Sequence, residues 1–405
     1  MDVLVVKKYQ FFLGLRALGC LLFGSLVPVA GASSQQSPQH AAPGGSGAHE
    51  SVRWGDKAGE AEFHIVGDTA VITLRLPSNE VLLVRRIENP DDALAVLADQ
   101  RLRFSWEAVL RWAGSDLVVL RDKALLRARA AADVGLPNGD PRGPAEETSG
   151  ALQASILQYA RILTQSGHRK EAINTLNRQL SLTTATADSK YDRMMLVIKL
   201  ASILFEGGDT SQAIEVLDKQ VKDATTLPDA RLNYQVALAQ YLARSGSYNR
   251  ALEIITNASA QFSVSTPQDS ESVKVPGSDA QFSWIRACAL NGVGREAESR
   301  TIMASLDTAS HPVDLSPLIR QVRLNAFLCM KDHKQLSAEL SNLIATEPPA
   351  SELFQFIQPG NRSYLPERAV LAMALKNPMI LNATSGHVRF LDGPLTPAVR
   401  EWRDE

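Results

Sequence analysis

The sequence predicts a mainly α fold, an α-solenoid of stacked helix hairpins preceded by a small β-containing module. Two observations carry this. One phrase is written three times: "GHRKEAINTL" from Gly167, "GDTSQAIEVL" from Gly208 and "GSYNRALEII" from Gly246. Upstream of it, "AEFHIVGDTAVITLRLP" sets two β-rich runs around a Gly67-Asp68 turn signal, with Ile72, Leu74 and Leu76 alternating with Val71, Thr73 and Arg75.

Aligned on the three glycines, the agreement spreads in both directions. Seven residues before each stands Ala160, Ala201 or Ala239, and four before stands Leu163, Leu204 or Leu242. Eight before is a large residue, Tyr159, Leu200 or Leu238. Five after comes Ala172, Ala213 or Ala251, and nine after comes Leu176, Leu217 or Ile255. This is the pattern of a helix hairpin. Glycine ends the first helix, where a left-handed residue is needed. Alanines on the facing sides let two backbones approach, and residues three and four apart make the apolar stripe. A single hairpin cannot cover its own stripe, so the next must stack on it.

These columns resemble the tetratricopeptide repeats: the small residue in each first helix, the turn glycine and the following alanine match in order. The glycines lie 41 and 38 residues apart, against about 34 in that family, with the extra residues in "SLTTATADSK" and "KDATTLPDA". HEAT-like hairpins are the structural rival. Two looser units follow. In "DAQFSWIRACALNGVGREAESRTIMASL" the turn glycine is Gly292 or Gly294, and in "SPLIRQVRLNAFLCMKDHKQLSAELSNLI" the turn is Lys331-Asp332.

The rest of the chain divides around this array. Residues 1–32 read as a signal peptide: Lys7-Lys8, an apolar stretch interrupted by Arg16, then "AGA" at Ala30–Ala32. An uncleaved anchor and a lipoprotein built on Cys20 are the alternatives. Residues 33–50, rich in Ser, Gln, Pro and Gly, read as a disordered tether. Residues 51–135 form the β+α module, with two or three strands before helical patterns that begin at Pro90. A Pro/Gly-rich linker spans 136–150, the repeats span 151–346, and a helical and irregular tail spans 347–405.

Composition narrows the function. A net charge of −2, becoming −4 without residues 1–32, and only 6% aromatics argue against a nucleic-acid partner. After removal of the signal the reading expects no integral membrane span. The seven histidines are scattered, and the sequence holds no zinc, P-loop or nucleophile-elbow motif. Gly292-Val-Gly294-Arg-Glu-Ala297 has the spacing of a dinucleotide fingerprint, but a helical pattern stands where a strand is needed. No catalytic residue, cofactor or metal is therefore expected. Tryptophans 54, 106, 112, 284 and 402 read as core or junction residues.

What remains is surface. The resemblance implies that first helices line a concave groove holding a protein or peptide partner. Its lining would be Arg161, Thr164 and Gln165, then Ser202, Phe205 and Glu206, then Asn233, Gln240 and Arg244. Leu157, Ile198 and Val236 stand where the family's carboxylate-gripping members carry polar clamps. The expectation is a periplasmic or secreted, non-catalytic scaffold or adaptor in cell-envelope assembly or secretion. The alternative is an envelope enzyme with its site in or beside the N-terminal module. Cys288 and Cys329, 41 residues apart, are expected to be unpaired buried thiols, because packed helix axes lie about 8–10 Å apart while a disulfide needs Cα atoms within about 7 Å.

Export has a direct check. Mass spectrometry of the native protein is expected to find Ser33, or a residue within a few positions of it, at the N-terminus. An intact Met1 on a soluble cytoplasmic protein overturns the reading.

Overall fold

A computed structural model describes residues 48–54, 57–66, 69–75, 81–87, 126, 129–130, 148–165, 168–183, 190–223, 225–265, 278–306, 316–345 and 367–384. The signal, the linker residues 136–147, most of the helical part of the expected module, and tail residues 347–366 and 385–405 lie outside the described residues.

The chain is mainly α. From Thr148 onward the described residues form α1 (Thr148–Gln165), α2 (Arg169–Leu182), α3 (Lys190–Glu206), α4 (Thr210–Lys222), α5 (Pro228–Arg244) and α6 (Tyr248–Ser265). There follow α7 (Ser278–Gly292), α8 (Glu296–Ser305), α9 (Ser316–Cys329), α10 (His333–Ala345), α11 (Arg368–Leu375) and α12 (Pro378–Thr384). None of the described helices is long and apolar enough to cross a membrane.

Consecutive helices pair as hairpins, α1 with α2 through α9 with α10. Their turns share one hydrogen-bond scheme. Gly208, Gly246 and Gly294 have φ of 93°, 89° and 84°, a conformation that glycine takes without strain. The amide after each glycine donates five residues back: Asp209 N–H to the Leu204 carbonyl at 2.9 Å, Ser247 to Leu242 at 2.8 Å and Arg295 to Leu290 at 2.9 Å. The glycine's own amide closes the inner bond, as in Gly208 N–H to Phe205 O at 3.0 Å. Two orphaned carbonyls at the helix end are thereby satisfied. The leucine column four residues before the glycine thus also supplies the carbonyl that closes the turn.

Gly294 is therefore the turn glycine of the fourth hairpin. Gly292 has another duty: a Cβ there would lie 2.2 Å from Cγ of Tyr248, whose ring crosses it. With the register fixed, Ala287 and Ser299 occupy the two alanine columns. The Ser299 hydroxyl donates to the Ala287 carbonyl at 2.8 Å, which shows that the two columns face each other. All the column alanines, Ala160, Ala201, Ala239, Ala172, Ala213 and Ala251, are fully buried. In the fifth hairpin Lys331 takes the left-handed position (φ 58°), and Leu324 and Leu336 replace the alanines. Larger side chains hold helices apart, and α9 and α10 approach less closely than the other four pairs.

Stacking follows one rule for most of the array. First helices neighbour one another in the order α1, α3, α5, α7, α9. Each second helix also packs on the next first helix: α2 on α3, α4 on α5 and α6 on α7. One apolar core runs through all of them, from Ile156 to Ile380. Trp284 lies within it, fully buried, its indole N–H donating to Gln281 Oε1 at 2.8 Å.

Upstream, four strands form an antiparallel meander in the order β1 (Ala48–Trp54), β2 (Lys57–Val66), β3 (Thr69–Arg75) and β4 (Val81–Ile87). The sequence reading expects two or three. The additional strand is β1, which pairs Val52 with Gly59 and begins inside the stretch read as tether. Its signal is the Gly55-Asp56 dipeptide, the same turn cue as Gly67-Asp68. A register shift at Leu74/Arg75 marks the β3–β4 pairing.

The cysteine expectation is corrected. Cys288 of α7 and Cys329 of α9 form a disulfide with Cα atoms 5.8 Å apart. The axis spacing of about 8–10 Å is not the Cα spacing: each inward-facing Cα stands about 2.3 Å off its axis, which leaves about 3.4–5.4 Å. The cysteines stand six residues before Gly294 and two before Lys331, on the same stripe one helical turn apart, so a stagger of that size brings them level.

Two measurements check this account. Ala213→Leu is expected to cost about 1–3 kcal/mol by overpacking, while Gln212→Glu, exposed next to it, stays within about 0.5 kcal/mol in urea denaturation. Thiol titration of denatured, unreduced protein is expected to find neither Cys288 nor Cys329 reactive, and both reactive after reduction.

Candidate functional site

Of the residues expected to line a groove, Ser202 contacts Glu206 and Phe205 contacts Arg244, and most of the set is covered. Thr164, Ser202, Phe205, Asn233 and Gln240 are buried, while Arg161 and Glu206 are half-buried. The Gln165 side chain lies outside the described residues. As side chains offered to a partner, the five buried ones are not accessible in this conformation.

Helical spacing builds the centre. On α3, Ser202, Phe205 and Glu206 share one face, and on α5 so do Gln240, Tyr241 and Arg244. The rings of Phe205 and Tyr241 stack with centroids 4.4 Å apart and planes inclined by 14°. The Arg244 guanidinium carbon lies 4.6 Å from the Phe205 centroid, within cation–π range. The Ser202 hydroxyl donates to Glu206 Oε1 at 2.8 Å. Thr164 instead donates to its own helix, at the Ala160 carbonyl (2.7 Å).

Glu367, immediately before α11, closes the cluster. Arg244 Nε donates to Glu367 Oε1 at 2.6 Å and Arg244 Nη2 to Glu367 Oε2 at 2.9 Å. The two side chains are only 7% and 5% exposed. Two charges taken from water cost several kcal/mol each, which only good geometry offsets. Here the parallel fork and the aromatic face supply that geometry. Burial pushes the Tyr241 phenol well above its ordinary value, and the Glu206 carboxylate adds to the shift. Arg244 and a hydrogen bond with Ser202 oppose it. The phenol is therefore a neutral, stacked, hydrogen-bonding group.

Sequence reasoning missed Tyr241 and Glu367. Tyr241 is visible in principle, since it stands one position from Gln240 on the same helix. Glu367 is 123 residues from Arg244, and no local pattern links them.

No family model matches the chain, and no curated protein or solved structure matches it. The chemistry must therefore be read from the residues. Among the described residues no group of three or more His, Cys, Asp or Glu converges as a metal site would require. The 292–297 string forms the α7–α8 turn, with a helix before its glycines where a dinucleotide site needs a strand. What the cluster can do is hold one carboxylate in a dry, cationic, aromatic seat.

Breaking the fork is expected to be expensive. Arg244→Ala leaves the Glu367 carboxylate buried alone and costs about 3–5 kcal/mol in urea unfolding. The double change Arg244→Met with Glu367→Leu costs much less than two single losses. Stability is also expected to fall as pH rises past about 10, where phenols of the unfolded chain ionise. Tyr234, whose phenol burial also pushes up, and Tyr241 keep their protons when folded. The folded state then binds more protons than the unfolded one, so each phenol lowers stability by about 1.4 kcal/mol per pH unit above that point.

Proposed function

We propose that this chain is an exported, periplasmic tetratricopeptide-like α-solenoid acting as a non-catalytic scaffold or adaptor in cell-envelope assembly or secretion. The observation that carries this reading is the succession of five helix hairpins on one continuous core, three of them turning at a left-handed glycine in the shared position. Stacks of this kind present a long first-helix face, and extended concave faces are what repeat proteins bind with. The disulfide suits an oxidising compartment, in keeping with the signal-like N-terminus. A partner would meet the first-helix face at Arg161 and Glu206, with the buried seat of Arg244, Phe205 and Tyr241 behind them.

The test is photocrosslinking in the intact native envelope. A photoreactive residue at Arg161 or Glu206 is expected to trap a discrete partner, and one at Glu253, exposed on α6, is expected to trap none. Equal trapping from all three positions, or from Glu253 alone, overturns the reading.

A further inference from the structure

We propose that the Cys288–Cys329 disulfide is a redox-operated latch: its reduction loosens α9–α12 from the fourth hairpin and lifts Glu367 off Arg244, uncovering the Arg244 guanidinium on the first-helix face. The inference rests on the reading of that face as the binding surface, and it states how access to the face is controlled.

The junction between the fourth and fifth hairpins is built unlike the others. At the three earlier junctions a second helix wedges against the next first helix. Here α8 is the shortest of the second helices, ten residues, and its backbone does not approach α9 in that way. The polar contacts across the gap are long or weak: Asn291 Nδ2 to the Met330 carbonyl at 3.4 Å, Arg323 Nη1 to the Leu306 carbonyl at 3.4 Å, and Ser299 Oγ to Met330 Sδ at 3.2 Å. What joins the two hairpins is the direct contact of α7 with α9, and the disulfide pins that contact. A covalent tie stands where the wedge is slight.

Beyond the junction, the C-terminal helices hold to one another. The α10 helix packs on α9, α11 and α12, and the Ser337 hydroxyl bonds the His333 carbonyl at 2.7 Å and reaches that of Ala374 at 3.4 Å. They can move as one body. Their described polar tie back to the middle of the array is the Arg244–Glu367 fork. Freed of the disulfide, that body is held by the fork, the α7–α9 apolar contact and the long or weak polar contacts at Met330 and Arg323.

The chemistry is thiol–disulfide exchange with a dithiol reductant. Cys329, at the end of α9 and 5% exposed, takes the attack in preference to Cys288, which is fully buried. A reductant thiolate bonds to the Cys329 sulfur and displaces Cys288 as thiolate. The second reductant thiol, deprotonated, then closes on the first sulfur and displaces Cys329. The protein gains two electrons and two protons, and the dithiol becomes a cyclic disulfide.

Hydrogen exchange read by mass spectrometry on the full chain tests this, with dithiothreitol as the reductant. Reduction is expected to speed exchange at least tenfold in 316–345, 367–384 and around Tyr241–Arg244, while α1–α4 keep their rates. Reoxidation is expected to restore the slow rates, which separates release from misfolding, and Cys288→Ser with Cys329→Ser should reproduce the reduced pattern. With the disulfide intact, Glu367→Gln is expected to speed exchange only near 367–384 and Tyr241–Arg244. Unchanged rates on reduction overturn the latch, and so does acceleration shared equally by α1–α4. No partner is present in this assay, so its failure leaves the crosslinking result for the face standing, and the reverse holds as well.

Discussion

Each first helix of the array must stop at a defined residue and hand the chain back antiparallel. A left-handed residue does this by giving two terminal carbonyls their partners within three residues. Once that residue is placed, the positions seven before and five after it face each other at backbone contact, as the Ser299–Ala287 hydrogen bond shows. The neighbouring leucines then have nowhere to go but the common core. Stacking order, burial of the alanines and the face left to first helices all depend on this turn. Where the turn residue is Lys331 rather than glycine and the facing pair is leucine, the hairpin is looser.

The hairpins were legible because their determinants are local. Glycine, alanine and leucine recur at fixed offsets, and helix geometry converts offsets into contacts without long-range information. The turn glycine of the fourth hairpin was ambiguous because Gly292 and Gly294 are both required, one for the room it leaves Tyr248 and the other for its φ. Strand β1 was overlooked because a stretch of small and polar residues runs straight into it, and its partner, not its composition, makes it a strand.

The site was legible only in part. Ser202, Phe205, Glu206 and Arg244 could be placed together because they lie on first helices at predictable offsets. The burial of the Arg244 side chain was not predictable, since it is paired with Glu367 arriving from beyond the array. Cysteine pairing failed for a geometric reason: axis distance was compared with a limit that applies to Cα atoms. Which of two staggered helices sits higher by one turn is set by packing across the whole junction, and a spacing of 41 residues does not encode it.

The fork between Arg244 and Glu367 also imposes an order of events. Hairpins are made of near neighbours in the chain, so each can form as soon as its own thirty to forty residues exist, about the span of one helical repeat. Closing a contact over 123 residues waits until the last helices have been synthesised. In a chain that emerges N-terminus first, Arg244 on α5 is therefore in place for a time before its carboxylate arrives. Anything that meets the protein during that interval sees a bare arginine on an aromatic shelf, which the finished molecule pairs and buries.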